Sequence, residues 1–160
     1  MNQPTQADSE AQAQASFQIE KLYVKDLSLE VPGAPQVFMQ QGQPELEIQV
    51  RNEGAQFADG LYEVVVTVTV TARSGDKTLF LAEAAQAGIF SVRGVPAEDL
   101  DPLLGIGCPT ILYPYVREAI SDLVTRAGFP PVVLAPVSFE QIYLQRRQQG
   151  AAEPQIQAAH

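Results

Sequence analysis

Between Leu61 and Ala72 the chain reads LYEVVVTVTVTA, and the eight residues from Val64 to Thr71 are all Val or Thr. Side chains branched at Cβ lose rotamer freedom on a helix and fit a pleated surface, so this segment is a strand. Its two faces differ little: Val64, Val66, Val68 and Val70 line one, and Val65, Thr67, Thr69 and Thr71 the other. A sheet with β-branched residues on both faces is not covered by one amphipathic helix. Some apolar area is left to meet another subunit or a ligand.

The flanking segments supply the neighbours. From Phe17 to Glu30 the chain alternates, with Phe17, Ile19, Tyr23, Leu27 and Leu29 on one parity, while Lys21 and Lys25 interrupt that row and Leu22 and Val24 fall on the other. This predicts a long, half-buried strand, ended by Val31-Pro32-Gly33-Ala34-Pro35. A second strand is expected over Glu45–Val50, followed by a turn-like stretch from Asn52 to Gly60, and a fourth from Thr78 to about Val92 after the Arg73-Ser74-Gly75-Asp76-Lys77 turn. After Gly94 the period becomes helical. Val116, Ala119, Ile120, Leu123, Val124 and Ala127 form one stripe, and Gly128 stands where a left-handed cap ends a helix that starts as early as Pro109. The segment Gly105-Ile106-Gly107-Cys108-Pro109 reads as a loop leading into it. A last short helix is predicted from about Ser138 to Gln148, with Ser138 and Gln141 spaced as a capping box. Strands first and helices second give an α+β fold: a four-stranded antiparallel sheet followed by a long helix and a C-terminal helix.

The ends differ from the body. Residues 1–16 and 150–160 are rich in Gln, Ala and polar groups and are expected to be disordered tails on one domain spanning 17–149. Met1 to Ser16 lacks the basic start and apolar run of a secretory signal, and no apolar run approaches the roughly 20 residues of a membrane span, so no membrane insertion and a cytoplasmic location are expected. One cysteine, Cys108, cannot form an internal disulfide and suits a reducing compartment. A formal charge of −9 repels phosphate backbones, which sets nucleic acid aside as a partner.

Chemistry-bearing groups are sparse. The only histidine is His160, the last residue; Cys108 has no positioned base; no His, Cys or carboxylates cluster at metal-ligand spacing. No cofactor, metal site or catalytic residue is therefore expected. Glu118 and Asp122, four apart on the helix, lie opposite its apolar stripe and read as a solvated face.

Six blocks, in order, then carry a resemblance: FQIEKLYVKDLSLEVPGAPQVF (17–38), QPELEIQV (43–50), YEVVVTVTVTA (62–72), GIFS (88–91), GCPTILYPYVREAISDLV (107–124) and LAPVSFEQIY (134–143). Together they resemble the SecB family of bacterial protein-export chaperones. The resemblance implies an ATP-independent holdase, assembled as a homotetrameric dimer of dimers, that keeps precursor proteins unfolded and delivers them to the export motor SecA. By motif it places SecA docking on Asp26, Glu30, Leu81 and Glu83, and assembly on Phe80, Ala82, Ala84 and Gln86. It implies a client groove lined by Leu46, Ile48 and Val50, with Phe139 and Tyr143 as candidate aromatics from the last helix. Gly42 replaces a Trp that family members can carry, implying a shallower aromatic subsite. From the residues alone, two other readings stay open: a small-molecule enzyme or binding domain with Glu118, Asp122 or Cys108 in its site, and a structural scaffold.

Overall fold

The computed structural model describes residues 14–152. Four strands, β1 (Ser16–Glu30), β2 (Glu45–Ala58), β3 (Leu61–Ser74) and β4 (Lys77–Arg93), form one antiparallel sheet in the order β1-β4-β3-β2. Residues 31–44 therefore carry the chain from one edge of the sheet to the other, with a single 3₁₀ turn at Gln36–Met39 on the way. Helix α1 (Ala97–Pro102) runs through a π turn (Leu103–Gly107) into the long α2 (Cys108–Arg126), and α3 (Phe139–Ala152) follows.

The broken alternation of β1 has a structural cause. The ladder to β4 shifts register between Ile19 and Lys21 and again between Val24 and Asp26. Each bulge inserts one residue and reverses the parity that follows. Residues opposite each other share a face, so Phe17, Ile19, Leu22, Val24, Leu27 and Leu29 all lie with the helix-facing residues of β4, and Tyr23 lies on the other side.

The core is the helix-facing row of β3 and β4 beneath α2. Val64, Val66, Val68, Val70 and Ala72 meet Leu112, Val116, Ile120 and Val124 in one buried cluster. The stripe read from the 3.6 period is thus the buried face of α2. Pro114 sits within the helix on an exposed turn.

Four expectations need correcting. β2 does not stop near Val50 but pairs with β3 to Ala58, so only Asp59-Gly60 remains as the turn, with Gly60 at φ +67°. Its distal half, Arg51-Asn52-Glu53-Gly54-Ala55-Gln56, lacks apolar alternation and is held as a strand by its pairing with β3. Residues 105–109 are helical: the wide π turn and Gly105 make room for the Tyr143 ring, which a Cβ there would meet at 2.7 Å. Finally α3 extends through Ala152, so residues 150–152, expected in a tail, are helical. Its start matches the predicted cap, with the Gln141 amide donating to Ser138 Oγ at 3.3 Å. Ser16, expected in the N-terminal tail, begins β1; residues 1–13 and 153–160, including His160, lie outside the described residues.

Candidate functional site: an apolar groove and an acidic sheet face

Helix α2 lies over β3 and β4, leaving the helix-facing side of β2 uncovered at one end. Leu46, Ile48 and Val50 stand opposite Ala72, Val70 and Val68, all three fully buried. On β2, Leu46 and Ile48 are each 44% exposed, and Val50 is half-buried. Leu46 and Ile48 form one wall of a groove of about 510 Å³, completed by Val37, Phe38, Phe80 and Phe129 with Pro130 to Val133.

The aromatic side of this groove comes from two connecting segments. Ala127 and Gly128 turn the chain at the end of α2, their amides donating to Leu123 and Thr125, and Gly128 takes φ +91°. That turn brings Phe129 back onto the sheet, where its ring lies 4.9 Å from Phe80 and 5.3 Å from Phe38. Phe38 packs against Gly128 so closely that a Cβ there would lie 3.1 Å from Phe38 Cε1. Gly42 lines the same groove, with nothing within 4 Å of where a Cβ would sit.

Phe139 and Tyr143 are not brought to this groove. Phe139 is in the core, 2% exposed, with its ring edge-on to Tyr113 at 5.8 Å. The Tyr143 hydroxyl donates to Asp101 at 2.6 Å, and its ring lies 5.6 Å from the Arg147 guanidinium. It lines a separate depression of about 320 Å³ with Asn52, Gly105 and Arg146, at the distal half of β2. The sequence reading missed Phe38 and Phe129. Their signal was an aromatic placed just after a Pro-Gly turn and just after a helix-capping glycine, where nothing local buries it.

The opposite face of the sheet carries acidic side chains beside a small apolar cluster of Val65, Ala85 and Ala87. Asp26, Ser28 and Glu30 of β1 stand opposite Ala85, Glu83 and Leu81 of β4, so Asp26, Glu30, Leu81 and Glu83 share this face. No bulge separates Asp26 from Glu30. Among the described residues neither takes part in an ion pair, whereas Glu83 accepts the Thr69 hydroxyl at 2.7 Å and lies 4.0 Å from the Arg51 guanidinium. Glu63 is held more firmly, by Lys25 at 2.6 Å and by the Tyr23 hydroxyl. The hydrogen bond from Lys25, followed by that from Tyr23, holds the Glu63 carboxyl below its usual range. Burial first, then Glu63, pushes the Tyr23 phenol up to about 12.

Phe80, Ala82, Ala84 and Gln86 form the helix-facing row of β4 and are buried within the chain itself. Cys108 is also buried, and burial pushes its thiol up to about 12. Asp122 pairs with Arg126 at 2.9 Å along α2, and Glu118 is exposed. Among the described residues no His, Cys, Asp and Glu group could hold a metal ion, and no helix is long and apolar enough to cross a membrane.

Comparison with known proteins meets this geometry. The family model described as preprotein translocase subunit SecB matches residues 10–150. The protein-export protein SecB of Chromobacterium violaceum is 60% identical over 138 residues, covering 86% of this chain and 92% of that protein. That of Dechloromonas aromatica is 57% identical over 145 residues, covering 91% and 95%. The fold is shared with a SecB-like chaperone of Mycobacterium tuberculosis, solved in complex with a ChAD peptide from the HigA1 antitoxin. That likeness has a TM-score of 0.62 and 19% identity and covers 76% of this chain and 91% of that one.

Proposed function

This chain belongs to the SecB family and is a chaperone of protein export, and from that premise we propose that it is an ATP-independent cytoplasmic holdase that keeps precursor proteins unfolded and passes them to the SecA motor. The observation that carries the client-binding part is the uncovered end of β2: Leu46 and Ile48 beside Phe38 and Phe129 in an open apolar groove. Folded proteins hide their apolar segments, so such a groove selects unfolded chains. It binds extended segments through apolar contact with little sequence readout.

SecA docks, in this reading, on Asp26, Glu30, Leu81 and Glu83. Their common face carries negative charge on a rigid sheet, which suits a basic partner segment. Clients and SecA thus use opposite faces, so docking does not require the groove to be empty. Val50, next after Ile48 in the same row of β2, packs against the core and does not line the groove. Phe139 and Tyr143 contribute by fixing α3 against the body rather than by touching a client.

Assembly as a homotetramer, a dimer of dimers, accounts for the apolar residues left open on the helix side of β1, namely Phe17, Ile19, Val24 and Leu27, and for Tyr115 on α2. Phe80, Ala82, Ala84 and Gln86 are buried within the chain, so they act on assembly only indirectly, through the packing of the sheet on which α2 is seated. The functional unit is the single domain from Ser16 to Ala152, and its role is binding without catalysis. The small-molecule enzyme reading has little support: Cys108 is buried with a raised thiol pKa, and Asp122 is tied to Arg126.

The test is aggregation of a reduced, unfolded precursor in the presence of the purified chain, beside the same precursor in its native form, with assembly followed by sedimentation. A tetramer that suppresses aggregation and ignores the native protein is expected. A monomer without effect on the unfolded precursor would sink the proposal.

A further inference from the structure

The acids of the sheet face differ in how far they are already satisfied. Asp26 and Glu30 have no ion-pair partner among the described residues, and Glu63 has both Lys25 and Tyr23. Glu83 is intermediate. Thr69 stands directly opposite it on β3 and donates to Oε2 at 2.7 Å, while Arg51, opposite Thr67 on β2, reaches diagonally across β3 to within 4.0 Å of Oε1. The Arg51 side chain is 69% exposed and that of Glu83 is 31% exposed. An ion pair this long and this wet is weak, so another cation can replace the guanidinium.

We propose that Thr69 and Arg51 tune the acidic docking face: Thr69 is a positioning residue that orients the Glu83 carboxylate, and Arg51 competes with a basic partner segment for the same carboxylate. This rests on the assignment of that face to SecA docking. A partner Lys or Arg reaching Glu83 must displace Arg51, so Arg51 lowers affinity and Thr69 raises it. Arg93 provides the control. It lies ten residues along β4 from Glu83, roughly 33 Å at the usual rise, beyond the screening length at physiological salt, and pairs with Asp59 at 3.4 Å.

The experiment is titration of purified SecA onto the full chain and its variants at low and physiological salt. Arg51→Gln should tighten binding about threefold at low salt, and Arg93→Gln, the same change in net charge, should leave it unmoved. Thr69→Val should weaken binding about threefold, with recovery in Thr69→Ser, which keeps the hydroxyl. In a Glu83→Gln background the Arg51→Gln gain should vanish. The inference is overturned if Arg51→Gln behaves like Arg93→Gln, if its gain survives without the Glu83 carboxylate, or if Thr69→Val binds like the parent. Should Glu83→Gln alone leave SecA binding unchanged, the docking assignment of Glu83 fails as well, which separates the two failures.

Discussion

Ile48 stands directly opposite Val70 in the β2–β3 ladder, yet Val70 is fully buried and Ile48 is 44% exposed. The boundary of the core runs between two adjacent strands on one face. On the β3 side α2 closes the core; on the β2 side the apolar surface continues into the groove. The same row of side chains therefore serves stability in one strand and is free to bind in the next.

Gly128 couples helix termination to groove shape. Gly128→Ala places a Cβ at φ +91° and 3.1 Å from Phe38 Cε1. We expect a stability loss of about 1–2 kcal/mol from the backbone alone, and weaker client binding as Phe38 and Phe129 separate. Urea unfolding and client titration on the same variant read the two effects.

Charge reversal separates the two faces. Asp26→Lys with Glu30→Lys should weaken SecA binding at least about tenfold at low salt, because each lost attraction becomes a repulsion. Suppression of precursor aggregation should be unchanged, since the groove lies on the other side of the sheet. Equal loss of both activities would mean that the faces are not independent.

The thiol of Cys108 is buried and pushed up to about 12, so almost none is thiolate at pH 8. Labelling by an aromatic disulfide reagent should be slower in the native protein than in urea by at least about a hundredfold. Fast native labelling would contradict the packing around the start of α2.

Glu63 gives a pH signature with a definite sign. Its carboxyl is held below the ordinary glutamate value of 4.5 by Lys25 and Tyr23, so its contribution to stability is complete above that value and is lost as pH falls through the lowered one. Glu63→Gln should cost about 1 kcal/mol at pH 7, and the gap to the parent should narrow as the pH drops below 4.5. Urea midpoints across this range provide the measurement.

The residues made the sheet, the long helix and its buried stripe legible, because the Val/Thr run and the 3.6 period are local signals. The bulges of β1 were visible only as a fault in alternation: the displacement of Leu22 and Val24 relative to Ile19 and Leu27 was present, but its cause lay in pairing with β4. The length of β2 was hidden because Gly54 and its polar neighbours owe their strand geometry to pairing with β3. Of the groove, Leu46 and Ile48 were readable, and the aromatics were not. Phe139 and Tyr143 sat on a helix that looked available, whereas Phe38 and Phe129 lie in connecting segments whose meeting depends on the crossover from one sheet edge to the other.

The most direct test of the groove is the affinity of a reduced, unfolded precursor for the parent chain and for Ile48→Asp, measured by fluorescence titration with tetramer formation checked in parallel. A carboxylate at this half-exposed position costs the fold about 1–2 kcal/mol, and it places charge where a client side chain must lie. The account predicts binding weaker by about tenfold or more, with SecA affinity and assembly intact. Unchanged precursor binding in a folded, correctly assembled Ile48→Asp protein would contradict it.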